Sequence, residues 1–311
     1  MPLTIDCAED GGAIELAELV ESLDRDFDPR DEAALVQWAP ALRRLACNRR
    51  FLGDLVIEEL KQHCFGQSRS NQYSAQVILL HGASKNYLIR ANFWPADTDS
   101  VFTNSGAKPF FYGLPHDHNF SFLTAGYLGP GYWSDYYEYD YEDVLGYPGE
   151  TVDLRFVERS QLSAGKVMLY RKHLDVHSQL PPESLSVSLN ILAMSPALEF
   201  QEQYSFDLDS STVTGFVNRS GLETLIRLAG TFGGGNGADL IDHVARRHPS
   251  DRMRFAGWRA KAAQAPDVDS RIAVYEEAAR SSDGQLSALA RSEAARVREC
   301  RPWLIGGGTA C

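Results

Sequence analysis

Between residues 72 and 207 the chain breaks into short runs rich in β-branched and aromatic residues, separated by turn residues. The runs cover 75–81, 87–93, 110–113, 119–127, 132–140, 152–158, 166–171, 185–194 and 200–206, with Gly-Pro-Gly at 129–131 and Tyr-Pro-Gly at 147–149. Short strands punctuated in this way predict an antiparallel sandwich or a jelly-roll barrel.

The flanks have a different texture. Segments 13–24, 31–47 and 50–64 carry apolar residues at helical spacing, as in Leu16, Leu19, Val20 and Leu23. Asp31 stands where an N-cap belongs, and Gly66 with Ser68, Ser70 and Asn71 reads as the loop that ends the helical part. Residues 217–300 read as helical again, broken by the glycine-rich stretch 230–237, which predicts a flexible connection between helices. That stretch has neither the preceding strand nor the lysine of a phosphate loop. Three segments follow: a helical one over 1–71, a β-rich one over 72–210 and a helical one over 211–311. The fold class is α+β.

Charge narrows the choice of partners. The formal net charge is −12, whereas binding to nucleic acid or to an anionic membrane calls for a cationic footprint. The acids concentrate in residues 1–32, with eleven acids against two arginines, and residues 244–301 carry twelve Lys/Arg against eight acids. A solvated helix face accounts for each cluster. The longest apolar stretches fall well short of the roughly 20 residues that cross a bilayer. The first ten residues lack a basic segment and do not read as a signal peptide, so the expected compartment is the cytoplasm. The five cysteines, widely spaced and without a CxxC, fit reduced thiols.

Five of the eight histidines fall in the β-rich region, at 81, 116, 118, 173 and 177. In a strand, residues two apart share a face, so His116 and His118 would offer two imidazoles to one small volume. A third imidazole from His173 or His177, placed just before the apolar run 185–192, could join them and complete a metal site. His177 is the preferred third ligand. The segment 132–143 sets Tyr137, Tyr139 and Tyr141 on one strand parity and Glu138, Asp140 and Glu142 on the other. Tyr137 and Glu138 are thus candidates for proton transfer or for steering a substrate. Arg155, Arg171 and Lys172 are the cations near the expected site, and Arg171 is the candidate for holding a substrate carboxylate.

The order Gly113, His116-x-His118, a hairpin, Gly165, a later His and an apolar strand with Asn190 resembles the cupin superfamily over about residues 75–207. The resemblance implies a small jelly-roll barrel with a metal held by His116, His118 and His177. Cupins usually add a glutamate four or five residues after the HxH pair, and here Phe122 and Leu123 stand there. A three-histidine set is similar to that of the thiol dioxygenase branch, which implies Fe(II), with another divalent metal as the alternative. The expected activity is oxidation of a small molecule or a peptide side chain by an Fe(II)- and O2-dependent oxygenase. By the same resemblance the chain could pair as a homodimer. Competing expectations are a non-catalytic ligand-sensing or structural cupin, a 2-oxoglutarate-dependent oxygenase, and a metal-dependent isomerase or lyase. A GxSxG nucleophile motif is absent from the sequence.

Overall fold

The computed structural model describes residues 2–7, 11–30, 32–71, 73–74, 76–82, 86–218 and 220–305. In chain order its elements are β1 (Leu3–Ile5), α1 (Leu16–Asp26), α2 (Glu32–Val36), α3 (Ala39–Cys47), α4 (Phe51–Lys61), α5 (Phe65–Ser70), β2 (Val77–His81), β3 (Tyr87–Trp94), α6 (Ser100–Ser105), β4 (Phe122–Leu128), β5 (Trp133–Glu138), β6 (Arg155–Gln161), β7 (Val167–Tyr170), β8 (Asp175–Leu180), β9 (Ser186–Ala193), β10 (Tyr204–Asp207) and β11 (Thr212–Phe216). The remaining helices are α7 (Gly221–Phe232), α8 (Gly234–Arg247), α9 (Asp251–Ala263), α10 (Val268–Ala278) and α11 (Gly284–Ile305). The predicted N-cap Asp31 lies outside the described residues.

The chain forms two compact units: residues 1–141, 152–199 and 205–211 in the first, and residues 142–151, 200–204 and 212–311 in the second. Within the first unit a six-stranded antiparallel sheet has the order β1-β7-β4-β9-β3-β2, and a three-stranded one has the order β6-β5-β8. A jelly-roll barrel was the expectation, but among the described residues the strands pair into separate open sheets and hydrogen bonding closes no barrel.

The six-stranded sheet separates two cores. On one face Tyr87, Ile89, Ala91, Leu123, Ala125, Leu189 and Ile191 pack against Leu19 and Leu23 of α1, Leu42 and Leu45 of α3, and Phe51 and Leu52 of α4. The helical spacing seen in the sequence is what turns those leucines toward the sheet. A reciprocal capping box between Glu15 and Glu18 starts α1. On the other face Leu88, Trp94, Phe122, Met168, Tyr170 and Leu192 meet Tyr136 of the three-stranded sheet and Tyr132 just before it.

Several local expectations are corrected. Gly66, Ser68 and Ser70 belong to α5 rather than to a loop. The chain turns before it, with both His63 and Cys64 at positive φ. The polar side chains then bond the edge strand: Gln67 donates to the Leu79 carbonyl at 2.9 Å and Asn71 to that of Val77 at 2.7 Å. This is one way to cover strand groups that would otherwise be open to another chain. The run 110–113 forms no strand, because a 3-10 turn over Lys108–Phe110 leads into Phe111 and Gly113, both at positive φ. Three strands, β1, β8 and β11, lie outside the predicted runs.

In the second unit the glycine-rich stretch is mostly helical: Gly233 alone separates α7 from α8, and Gly234, at positive φ, already begins α8. Its glycines serve close packing: a Cβ on Gly230 would lie 2.8 Å from that of Ala260. Side chains of Ser220, Ser250 and Asp267 cap α7, α9 and α10. Arg252, 8% exposed, ties α9 to Glu202 at 2.9 Å and to Glu223 at 2.6 Å.

Candidate metal centre

His116, His118 and His177 converge inside the first unit, all buried, with their ligand atoms within 4.8 Å of one another. The pair His116 and His118 is held in extended chain before β4, and His177 lies in β8. The backbones of His116 and His177 exchange two hydrogen bonds of 3.0 Å each, which fixes the first ligand beside the third. The second is fixed by the His118 carbonyl, which accepts from the His173 N–H at 2.8 Å. Asp117, fully buried between the two ligands, accepts a 2.7 Å bond from the Tyr139 hydroxyl.

His118 Nε2 lies 3.0 Å from His177 Nε2, which in turn lies 3.3 Å from His116 Nε2. Nitrogens bound at about 2.0–2.1 Å to a common metal stand about 2.9 Å apart at a right angle and about 3.4 Å apart at the tetrahedral angle. The observed spacings fall in that range, so the residues fit a metal. His116 Nδ1 is 2.8 Å from the Leu114 carbonyl, which assigns the proton to Nδ1 and leaves the Nε2 lone pair facing its neighbours. Burial pushes the pKa of His116 down to about 4. Burial also takes His118 and His177 well below their ordinary value, and the charge of His116 opposes protonation of both. Neutral imidazoles are the form that binds a metal.

The structure separates the two candidates for the third ligand. His173 has φ of 58° and stacks on Tyr141 with ring centroids 3.6 Å apart, away from the cluster. The HxH pair is followed by no carboxylate: Phe122 packs edge-on against the His118 ring at 4.9 Å. His81 stacks on Tyr87 in β2.

The other predicted site residues are not brought to the imidazoles. Tyr137 occupies the opposite strand parity from Tyr136 and packs on Phe156 at 5.3 Å. Arg171 is held by Asp175 at 2.6 Å and Glu138 at 2.8 Å, so Arg171 and Glu138 form one ion-pair group at the end of the sheet. Arg155 pairs with Asp153 at the surface, and Lys172 is exposed.

Four residues that the sequence analysis did not single out do reach the interior. The Tyr170 ring lies 4.9 Å from that of His177, and its hydroxyl is 2.9 Å from the Tyr136 hydroxyl. Burial raises both phenols above their ordinary pKa, so they stay neutral. The Gln179 amide nitrogen is 3.2 Å from both ring nitrogens of His177. Arg90, on β3, is close enough for its charge to oppose protonation of His116 and His118. Parity was the available signal, since Gln179 stands two residues after His177 and Arg90 interrupts the apolar run of β3.

No protein-family profile matches the sequence, and none of the curated proteins does. Among solved structures, a DMSP lyase from Ruegeria pomeroyi aligns over 40% of this chain and 53% of its own, at 10% identity and a TM-score of 0.23. A salicylate 1,2-dioxygenase from Pseudaminobacter salicylatoxidans aligns over 49% of this chain and 37% of its own, at 9% identity and a TM-score of 0.28. Procruciferin, an 11S globulin from Brassica napus, aligns over 40% and 27%, at 10% identity and a TM-score of 0.23. The chain therefore spans about half or less of each of these proteins, and likeness at this level decides neither fold nor chemistry.

Proposed function

We propose that this chain is a cupin-type metalloenzyme that uses Fe(II) and dioxygen to oxidise a small molecule or a peptide side chain. The observation that supports this reading is the convergence of three buried imidazole Nε2 atoms at 3.0 and 3.3 Å with no carboxylate among them. His116, His118 and His177, as neutral imidazoles, would hold iron without cancelling its charge, and the iron would supply the redox and Lewis-acid chemistry that an O2-dependent oxidation of an anionic substrate requires. The protein's own part is to orient and to exclude water. Phe120 and Phe122 flank His118, and Tyr170 closes the side next to His177. The Tyr136–Tyr170 hydroxyl pair can donate a hydrogen bond into the site without ionising.

That same phenol pair favours a second reading, a metal-dependent lyase or isomerase in which a tyrosine moves a proton and dioxygen takes no part. Metal analysis of the protein purified without a histidine tag separates the possibilities, followed by oxygen uptake of the iron-reconstituted form with candidate substrates. The oxygenase reading expects one iron per chain, lost in His118→Ala and His177→Ala, and oxygen consumption that follows substrate. Turnover undiminished under argon assigns the lyase or isomerase, and a chain that takes up no metal is a binding protein.

A further inference from the structure

The helices of the second unit border a cavity of about 410 Å³, a size that suits a small molecule. Four arginines from four helices line it: Arg227 of α7, Arg259 of α9, Arg271 of α10 and Arg296 of α11. Ala256, Ala260 and Ala263, at i, i+4 and i+7 of α9, keep long side chains out of the space between them. Tyr275, four residues after Arg271 and 5% exposed, lines the same cavity. Burial raises the pKa of its phenol, so it remains a neutral donor, and the charges of Arg259, Arg271 and Arg296 all act on it.

Three of the four guanidiniums are uncommitted. Among the described residues Arg227 and Arg259 meet no carboxylate, and Arg259 has only the Phe255 ring at 6.0 Å. Arg271 donates from Nε to the Ala262 carbonyl at 3.3 Å, which steadies one edge and leaves its terminal nitrogens open. The two acids of the lining are already taken, Glu293 by Arg296 at 2.6 Å and Glu223 by Arg252 at 2.6 Å. In the same helices Arg246, Arg254, Arg298 and Arg301 each meet a carboxylate. This unit therefore has acids with which to neutralise arginines and does not place them here. Solvated arginines spread over separate faces would cost the fold little, but gathered around one concavity they repel one another. A cleft lined by one sign of charge focuses its field on an ion of the other sign.

We infer that this cavity binds a small organic phosphate, its phosphoryl group held by Arg227, Arg259 and Arg271 with the Tyr275 hydroxyl as a further donor. A phosphoryl group offers three terminal oxygens and more than one charge, so it can accept from several planar guanidinium forks at once. A bare phosphate ion would leave most of the volume unfilled, and Ala256, Ala263 and Val297 give the rest of the ligand an apolar wall. The site needs no metal and does not depend on the reading of the histidine centre.

Calorimetric titration of the full chain tests this, with ribose 5-phosphate and pyrophosphate as probes and ribose and citrate as comparisons. It is run on the protein as purified and again after chelator treatment, because a metal at the histidines could itself hold a phosphate. The inference expects both probes to bind at one per chain in both states, about tenfold or more tightly than citrate, and ribose not to bind. Arg227 and Arg259 are exposed, so replacing them leaves the core untouched. Arg227→Gln and Arg259→Gln should each weaken ribose 5-phosphate by about tenfold, the loss of one charge-assisted contact. Arg280→Gln, an exposed arginine outside the cavity, should leave the affinity unaltered. Binding of neither probe, binding that disappears with the chelator, or equal affinity for citrate overturns the inference, and none of these comparisons needs a variant to fold. Affinity unaltered in both Arg227→Gln and Arg259→Gln, or reduced as much by Arg280→Gln, overturns it as well. Preference for an oligoglutamate peptide over ribose 5-phosphate also overturns it and makes the cavity a docking place for acidic chains.

Discussion

The two faces of the six-stranded sheet are built from alternate residues of the same strands, yet they differ in kind. Along β3, Tyr87, Ile89 and Ala91 face the helices, and Arg90 and Asn92 face the second sheet. Along β4 and β9 the helix side receives Leu123, Ala125, Leu189 and Ile191, and the inner side receives Thr124, Asn190 and Ser188. The helix side holds the sheet together by burying apolar area. The inner side gives up part of that gain to carry a guanidinium, amides, phenols and three imidazoles. A sheet can afford such a face only when the opposite one is sealed, and here α1, α3 and α4 seal it.

Substitutions on the two faces should therefore fail in different ways. The largest expected effect is on the helix side: Ile89→Ala, at a site with no exposed surface, should cost about 2–5 kcal/mol of stability while leaving metal uptake by the folded fraction intact. Denaturant unfolding with parallel metal analysis checks this, and a loss of metal affinity larger than the loss of stability would show that the two faces are not independent.

The inner face should carry a dependence on pH that the helix side lacks. His116 is held at about 4 in the folded chain by burial. Its pKa in the unfolded chain is about 6.5, so below that pH the unfolded state takes up a proton the folded state refuses. The stability of the metal-free protein must then fall as pH drops from about 6.5 toward 4, by about 1.4 kcal/mol per pH unit for this histidine. His116→Gln should flatten the slope by that amount, measured by urea unfolding between pH 7.5 and 5, and an unchanged slope would mean that the imidazole is protonated when folded. The next effect in size concerns the metal: His118→Ala should weaken metal binding by about 100-fold or more while costing the metal-free fold little, since it also removes a buried polar group.

The sheet's helix side was readable from the sequence because apolar alternation and helical spacing encode it directly. The inner face was partly readable. His116 and His118 declared themselves by spacing, but β8 escaped notice because its run Asp-Val-His-Ser-Gln-Leu carries polar residues toward the interior, where an apolar alternation is normally sought. His173 and His177 could not be told apart by parity in the sequence, and in the fold the positive φ of His173 takes it out of the strand altogether. In the sequence Tyr137 shares its parity with Tyr139 and Tyr141, but β5 ends at Glu138, so that pattern outlasts the strand, and Tyr136 is the residue in register with His177. Arg90 was visible as a charge inside the apolar run Tyr-Leu-Ile-Arg-Ala-Asn-Phe-Trp, although nothing in one strand says which sheet it faces.

The smallest effect probes how the inner face is anchored. Tyr139 sits just past β5, fully buried, and its hydroxyl reaches Asp117 at 2.7 Å, while its ring packs edge-on against Phe206 at 5.2 Å. Asp117 is the residue between two ligands, so this bond links the HxH segment to the end of the three-stranded sheet, and the N–H of Phe206 bonded to the Pro115 carbonyl at 2.9 Å supports the same segment from the other side. Tyr139→Phe keeps the ring and deletes one hydrogen bond to a carboxyl group, which should cost about 1–3 kcal/mol of stability. If the bond also orients the ligands, the metal dissociation constant should rise by about tenfold, the lower end of what second-layer contacts contribute. Competition against a chelator separates the two contributions: a destabilised protein with unaltered metal affinity would make the Tyr139–Asp117 bond part of the sealing function of the fold, and place the orienting role on the paired backbones of His116 and His177.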